Sequence, residues 1–174
     1  RNFDEINATM ASVTGVPRYQ PDVDSVFQTI KQQLPTVENI EGFLSAHQMA
    51  VSQLAIEYCS TLVDNGGLIL RDDYFLDSAG ITSFNFSETA DTAFDSFSKR
   101  DLVISPLLNR VVGTGLTTQP DLVSVQSELE NLILILGSTT ECPPQPSCNT
   151  TLRTEQIVKA TCAAALGSAA MLIQ

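Results

Sequence analysis

The stretch from Thr36 to Gly67 constrains this chain more than any other. It reads TVENIEGFLSAHQMAVSQLAIEYCSTLVDNGG. Apolar residues recur at Ile40, Leu44, Val51, Leu54, Tyr58 and Leu62, and His47 fills the one gap in the series. Steps of three, four and seven residues draw one stripe along a helix. Pro35 stops whatever precedes it. Thr36 suits the N-cap and Glu38 the first turn, where carboxylates face the positive end of the dipole. Gly42 to Ser45 is where such a helix can kink or break. Asn65-Gly66-Gly67 is a strong C-terminal stop.

The rest of the chain repeats the helical pattern. Phe3, Ile6, Met10 and Val13 predict a first short helix, ended by Gly15 and Pro17. Asp22 to Leu34 predicts a second. Leu68 to Glu88 is the least regular part, yet Leu70, Tyr74, Phe75, Phe84 and Phe86 make it too apolar for a solvated linker. It reads as an irregular apolar excursion, about 68–88, that covers the core. Helical signals return at Ser87 or Thr89 and continue from Arg100 to Val112, with Ser105-Pro106 read as an N-cap and first helical position. Gly113 and Gly115 end that segment. Pro120-Asp121 opens a helix whose stripe is Leu122, Val125, Leu129, Leu132, Ile133 and Leu136. A Pro-rich loop, 138–151, leads to a last helix starting at Thr154 and Glu155. No run alternates apolar and polar residues well enough to suggest a sheet. The expectation is a single all-α domain, 1–174, a multi-helix bundle.

Composition limits the function. The net charge is −11 over 174 residues. Nothing supplies the basic patch that phosphate contacts need, so nucleic acid is not an expected partner, and anionic membranes are disfavoured for the same reason. The most apolar run, 157–173, is interrupted by Lys159, Thr161 and Ser168 and is short for a membrane span. Tryptophan is absent and aromatics make up 6%, so Leu, Ile, Val and Ala are expected to build the core. The chain begins at Arg1 without a signal peptide, so it reads as a mature or excised piece whose targeting signal lies upstream.

Four cysteines allow three pairings. Cys142 and Cys148 bracket a short Pro-rich loop that can close on itself. Cys59 and Cys162 each fall inside a predicted apolar helix. The expected bridges are Cys142–Cys148 and Cys59–Cys162, the second stapling the central helix to the last one. An even count with a bracketed loop fits an oxidising compartment, against the alternative of reduced, buried thiols in a cytosolic protein. There is no CxxC, no CxxCH and no Cys/His pair at ligand spacing, so neither zinc nor haem is expected.

Few residues point to chemistry. His47 is the only histidine. It could serve as a base, ligand or pH switch, but no local motif sets a nucleophile beside it, and a polar core histidine is the plainer reading. Asp72, Asp73 and Asp77 form an acidic cluster of the oxygen type that calcium takes, at spacings that do not match an EF-hand. A solvated acidic loop is the plainer reading there too. Gly113-Thr114-Gly115 lacks the lysine and preceding strand of a phosphate loop. Asn7-Ala8-Thr9, Asn85-Phe86-Ser87 and Asn149-Thr150-Thr151 are glycosylation sequons. The last helix is small-sided, with Ala160, Ala163, Ala164, Ala165, Gly167, Ser168, Ala169 and Ala170. Such a side lets helices approach closely, either within the domain or between subunits.

Four phrases carry a family resemblance: FDEINATMASVTGV, KQQLPTVENIEGFLSAHQMAVSQLAIEYC, RDLVISPLLNRVVGTGLTTQPDL and IVKATCAAALGSAAMLIQ. Together they resemble the C-terminal region of large secreted proteins of Gram-negative bacteria. Those proteins carry a LamG-like (concanavalin A-like jelly-roll) domain earlier in the chain. The resemblance implies an exported, disulfide-bonded module and carries over no catalytic residue; the jelly roll itself is not in this sequence.

The expected function is a non-enzymatic extracellular module for cell-surface attachment or assembly, without cofactor. Its expected partners are copies of itself, in a filament at the furthest reach, or the upstream domain of the same protein. The alternative is a secreted enzyme or carbohydrate-binding module acting on polysaccharide, with His47 and an acid such as Glu57 in a cleft.

Overall fold

A computed structural model describes residues 2–34, 45–65, 67–112, 120–138 and 149–168. Among the described residues the chain is all-helical: α1 (Phe3–Thr14), α2 (Pro21–Gln33), α3 (Ser45–Ser60), a π-helical turn (Thr61–Asn65), α4 (Gly67–Tyr74), α5 (Ala90–Ala93), α6 (Phe97–Val111), α7 (Leu122–Gly137) and α8 (Thr151–Leu166).

Local chemistry sets most of the boundaries. Asn2 caps α1 reciprocally, its side chain accepting from the Glu5 amide while Glu5 accepts from the Asn2 amide. Gly15 ends α1 in the left-handed conformation, φ 74°, where a Cβ would be strained. Asp121 caps α7, accepting from the Ser124 amide and hydroxyl at 3.0 and 2.9 Å. Those bonds hold the Asp121 carboxyl below its ordinary range, the backbone bond first. Thr150 caps α8 by accepting from the Arg153 amide. That helix therefore starts three residues before the expected Thr154, which is buried instead and donates to the Glu88 carbonyl at 2.8 Å.

The centre is an antiparallel pair, α3 and α8. The Cys59–Cys162 disulfide joins them, with Cα atoms 5.8 Å apart. Lys159 reaches Asp64 at 2.6 Å on the same seam. A Cβ on Gly167 would lie 4.0 Å from that of Ala55. Residue numbers thus fall along α3 as they rise along α8. Val51, Leu54, Tyr58 and Leu62 of the predicted stripe are fully buried, as are Ile157, Val158, Cys162 and Leu166 opposite. Ile40, Leu44, the Thr36 cap and the break after Gly42 lie outside the described residues, as do Gly113, Gly115, Cys142, Cys148, Ala169 and Ala170. Of the small residues on α8, Ala165 is buried and Gly167 lies against Ala55 of α3, while Ala164 is exposed; α3, α5, α6 and α7 all pack on this helix.

Four expectations need correction. The helix does not simply stop at Asn65: the chain widens into a π turn and resumes as α4 at Gly67. The wider turn keeps Thr61, Leu62 and Val63 all inside. The irregular excursion is thus helical over its first third, where Leu70, Arg71 and Tyr74 suit a helix. Pro106 is not a first helical position. It sits buried inside α6, and Ser105 donates to Asp101 at 2.7 Å rather than capping anything. The ring costs α6 one backbone bond, which burial of Val103, Ile104, Leu107 and Leu108 offsets.

Nor is the core aliphatic alone. Phe75, Phe84, Phe86 and Phe94 make a buried aromatic knot, with centroids 4.9 to 5.7 Å apart. It is closed by a single bridge, Leu76 to Ser83, and a turn in which Asp77 accepts from the Ile81 amide at 2.8 Å. Gly80 makes that turn at φ 68°.

Arg100 ties α6 to its neighbours. Its Nε and Nη2 reach Glu130 Oε1 at 3.1 and 2.8 Å, and Nη1 donates to the Phe94 carbonyl at 2.8 Å. The side chain is only 12% exposed. Arg100→Met is expected to destabilise the fold by about 1–3 kcal/mol, because Glu130 and the Phe94 carbonyl lose their donors. Urea unfolding at neutral pH checks this; a loss below about 0.5 kcal/mol would place the pair with ordinary surface ion pairs.

Candidate functional site

His47 lies half-buried near the start of α3. Beside it, the end of α2 and the start of α3 leave a cleft of about 300 Å3, lined by Ile30, Leu34, Ala46, Met49, Ala50 and the amides Gln33 and Gln53. Among the described residues that lining carries no ionisable group. His47 is about 100° around the helix from Ala46, so it does not face the same way. Glu57, the acid paired with it in expectation, is ten residues on. Ten residues rise about 15 Å along a helix, too far to share a proton. Glu57 accepts instead from Thr61 at 3.5 Å. The cleft can hold an apolar group; it cannot assemble His47 and Glu57 as an acid and base.

The acidic cluster is likewise separated. Asp72 sits on α4 against Arg71 at 3.3 Å. Asp73 is exposed one residue on. Asp77 is in the following turn, where the Ile81 amide above all holds its carboxyl below the ordinary range. Among the described residues, no group of three His, Cys, Asp or Glu is arranged to hold a metal ion. Arg71 organises this region: it stacks 4.3 Å over the Phe86 ring and reaches Glu155 of α8 at 3.6 Å.

The sequons separate by burial. Asn7 is buried and accepts from the Tyr58 hydroxyl at 2.6 Å, so folded protein presents no amide there for a sugar. Asn85 and Asn149 are exposed. Asn85 donates to Glu88 at 3.0 Å, and Asn149 accepts from the Asp91 amide at 3.1 Å.

Sequence reasoning missed the outer side of α7. The predicted stripe is partly right: Leu129 and Ile133 are buried, while Val125, Leu132 and Leu136 are half-buried. Leu122, its first member, is exposed. A second apolar set stands on the opposite side, with Val123 70%, Leu134 48% and Ile135 48% exposed. On α8, Leu152 is 58% exposed, and the neighbouring Arg153 donates to the Leu136 carbonyl. The signal was available as a helix apolar on two sides.

No helix among the described residues is long and apolar enough to cross a membrane. Comparison of the chain with protein-family models, curated proteins and solved structures found no match to any of them.

Proposed function

We propose that this chain is a non-enzymatic interaction module of an exported protein, serving cell-surface attachment or assembly. The observation that carries the reading is the outer side of α7. Large apolar side chains stand in solvent there, on a domain whose central helices are covalently locked. Apolar side chains grouped on one exposed face mark contact sites in soluble proteins. A disulfide between two interior helices suits an oxidising compartment, in keeping with the resemblance to secreted bacterial proteins. Partners of this kind are copies of the chain or the upstream domain of a longer one.

The reading predicts no turnover. Purified, oxidised protein incubated with polysaccharides should release no reducing ends. Turnover that disappears in His47→Ala would overturn it in favour of an enzyme. Peptide mapping of protein from its native source, done without reductant, should recover Cys59 joined to Cys162. Four free thiols would remove the export argument.

A further inference from the structure

We infer that the outer side of α7 is a docking groove for a basic amphipathic helix of a partner protein; this rests on the interaction-module reading and names the chemistry of the partner. Two rows run along this side at helical spacing. Asp121, Glu128 and Ile135 follow one another at steps of seven, so they stand in one line, about 10 Å between neighbours. Val123 and Leu134 form the second line, on the side of Glu130, toward α6. All five are exposed. Arg100 pairs with Glu130 and Gln126 donates to Asp101, so α6 and α7 run antiparallel. Phe97, one turn before Arg100, therefore falls at the level of Leu134, and it is exposed too. Between the rows lie Ser124, Ser127 and Asn131, small side chains that let a helix approach closely.

Charge selects the occupant. The chain carries −11, and α7 holds no lysine or arginine. Glu128 makes no ion pair among the described residues, and the Asp121 carboxylate is bonded only to Ser124. Glu130 is neutralised by Arg100. A second copy of α7 would bring its own carboxylates against this row and be repelled. A helix with lysine or arginine seven residues apart sets a base against each free carboxylate, and its apolar stripe covers Val123, Leu134 and Phe97. Exposed ion pairs add little by themselves, so the apolar row supplies most of the affinity and the carboxylates the choice of partner.

The probe is a synthetic helix with leucines at three- and four-residue spacing, flanked by lysines seven apart, titrated into the purified, oxidised chain by calorimetry. One-to-one binding is expected, weakening as salt is raised. Glu128→Lys should weaken it at least about fivefold more than Asp22→Lys, which changes net charge equally but lies on α2, packed chiefly on α3. Val123→Ser with Leu134→Ser should weaken it roughly tenfold or more. Circular dichroism of these variants should match wild type, because the side chains are already exposed. The same peptide with glutamate for lysine should not bind. No binding at about 1 mM, equal loss in Glu128→Lys and Asp22→Lys, binding untouched by the serine pair, or a glutamate peptide that binds as well would overturn the inference. So would a dimer of the chain alone that the serine pair dissolves, since a second copy would then be the occupant. The module reading fails separately, by polysaccharide turnover that depends on His47.

Discussion

Replacing Cys59 and Cys162 together with alanine is expected to cost the fold about 4–5 kcal/mol. The bridge closes a loop across a sequence separation of 103 residues. Most of that loss comes from the unfolded chain, which regains the freedom that the cross-link removes. A smaller part is local, because both sulfurs are fully buried and alanine leaves their volume empty. For a domain of this size the melting temperature should fall by roughly 10–20 °C. The folded variant should keep its helical circular dichroism, since Lys159–Asp64 and the apolar α3–α8 seam still hold the pair in register. A loss under about 1 kcal/mol would mean that the reduced chain is already confined without the bridge. Loss of helicity would mean that packing alone cannot form the central pair.

The central pair was legible because burial there is periodic. Val51, Leu54, Tyr58 and Leu62 announce a buried stripe, and a cysteine in each partner helix announces the staple. Helix ends written in side-chain caps or glycine, such as Gly15 and Asp121, were legible for the same local reason. Elements decided by tertiary packing were not. Pro106 reads as a helix start on propensity, yet four buried aliphatic neighbours carry α6 straight through it. The aromatic knot could not be foreseen from a low aromatic fraction, because Phe75, Phe84, Phe86 and Phe94 are brought together by a turn and one bridge.

The candidate sites divide in the same way. His47, Glu57 and the three aspartates were singled out by residue type, which says nothing about distance. The rise along α3 separates the first two, and Arg71 and the Ile81 amide engage two of the other three. The face on α7 is a matter of pattern and was readable, but only by following both sides of one helix. A search for the buried stripe stops once Leu129 and Ile133 are assigned. The apolar residues left over are the ones on which the proposed function rests.

Between about pH 10 and 12 the fold is expected to lose roughly 5 kcal/mol through two tyrosines alone. Burial pushes the Tyr58 hydroxyl up to about 12, against a smaller pull from Arg18. It pushes Tyr74 to about 12 as well, against Arg110, whose guanidinium lies 4.2 Å over the ring. Both side chains are almost wholly enclosed, Tyr58 at 0% and Tyr74 at 4% exposure. Tyr58 also donates to Asn7, and the phenolate cannot. The unfolded chain has ordinary phenols near 10. Below that pH both states keep both protons and the stability is fully present. As pH rises past it, the unfolded chain releases protons that the folded one retains, so unfolding is favoured by about 2–3 kcal/mol per tyrosine by the time the folded hydroxyls titrate. Other groups also respond to alkali, so variants must isolate the effect. Tyr74→Phe should flatten the alkaline limb by about 2–3 kcal/mol with little change at neutral pH. Tyr58→Phe should flatten it equally but cost about 1 kcal/mol at neutral pH, for the lost bond to Asn7. Urea midpoints across the alkaline range, read beside tyrosinate absorbance, decide the matter. Alkaline limbs in both variants as steep as in wild type would show that these two hydroxyls do not govern unfolding at high pH.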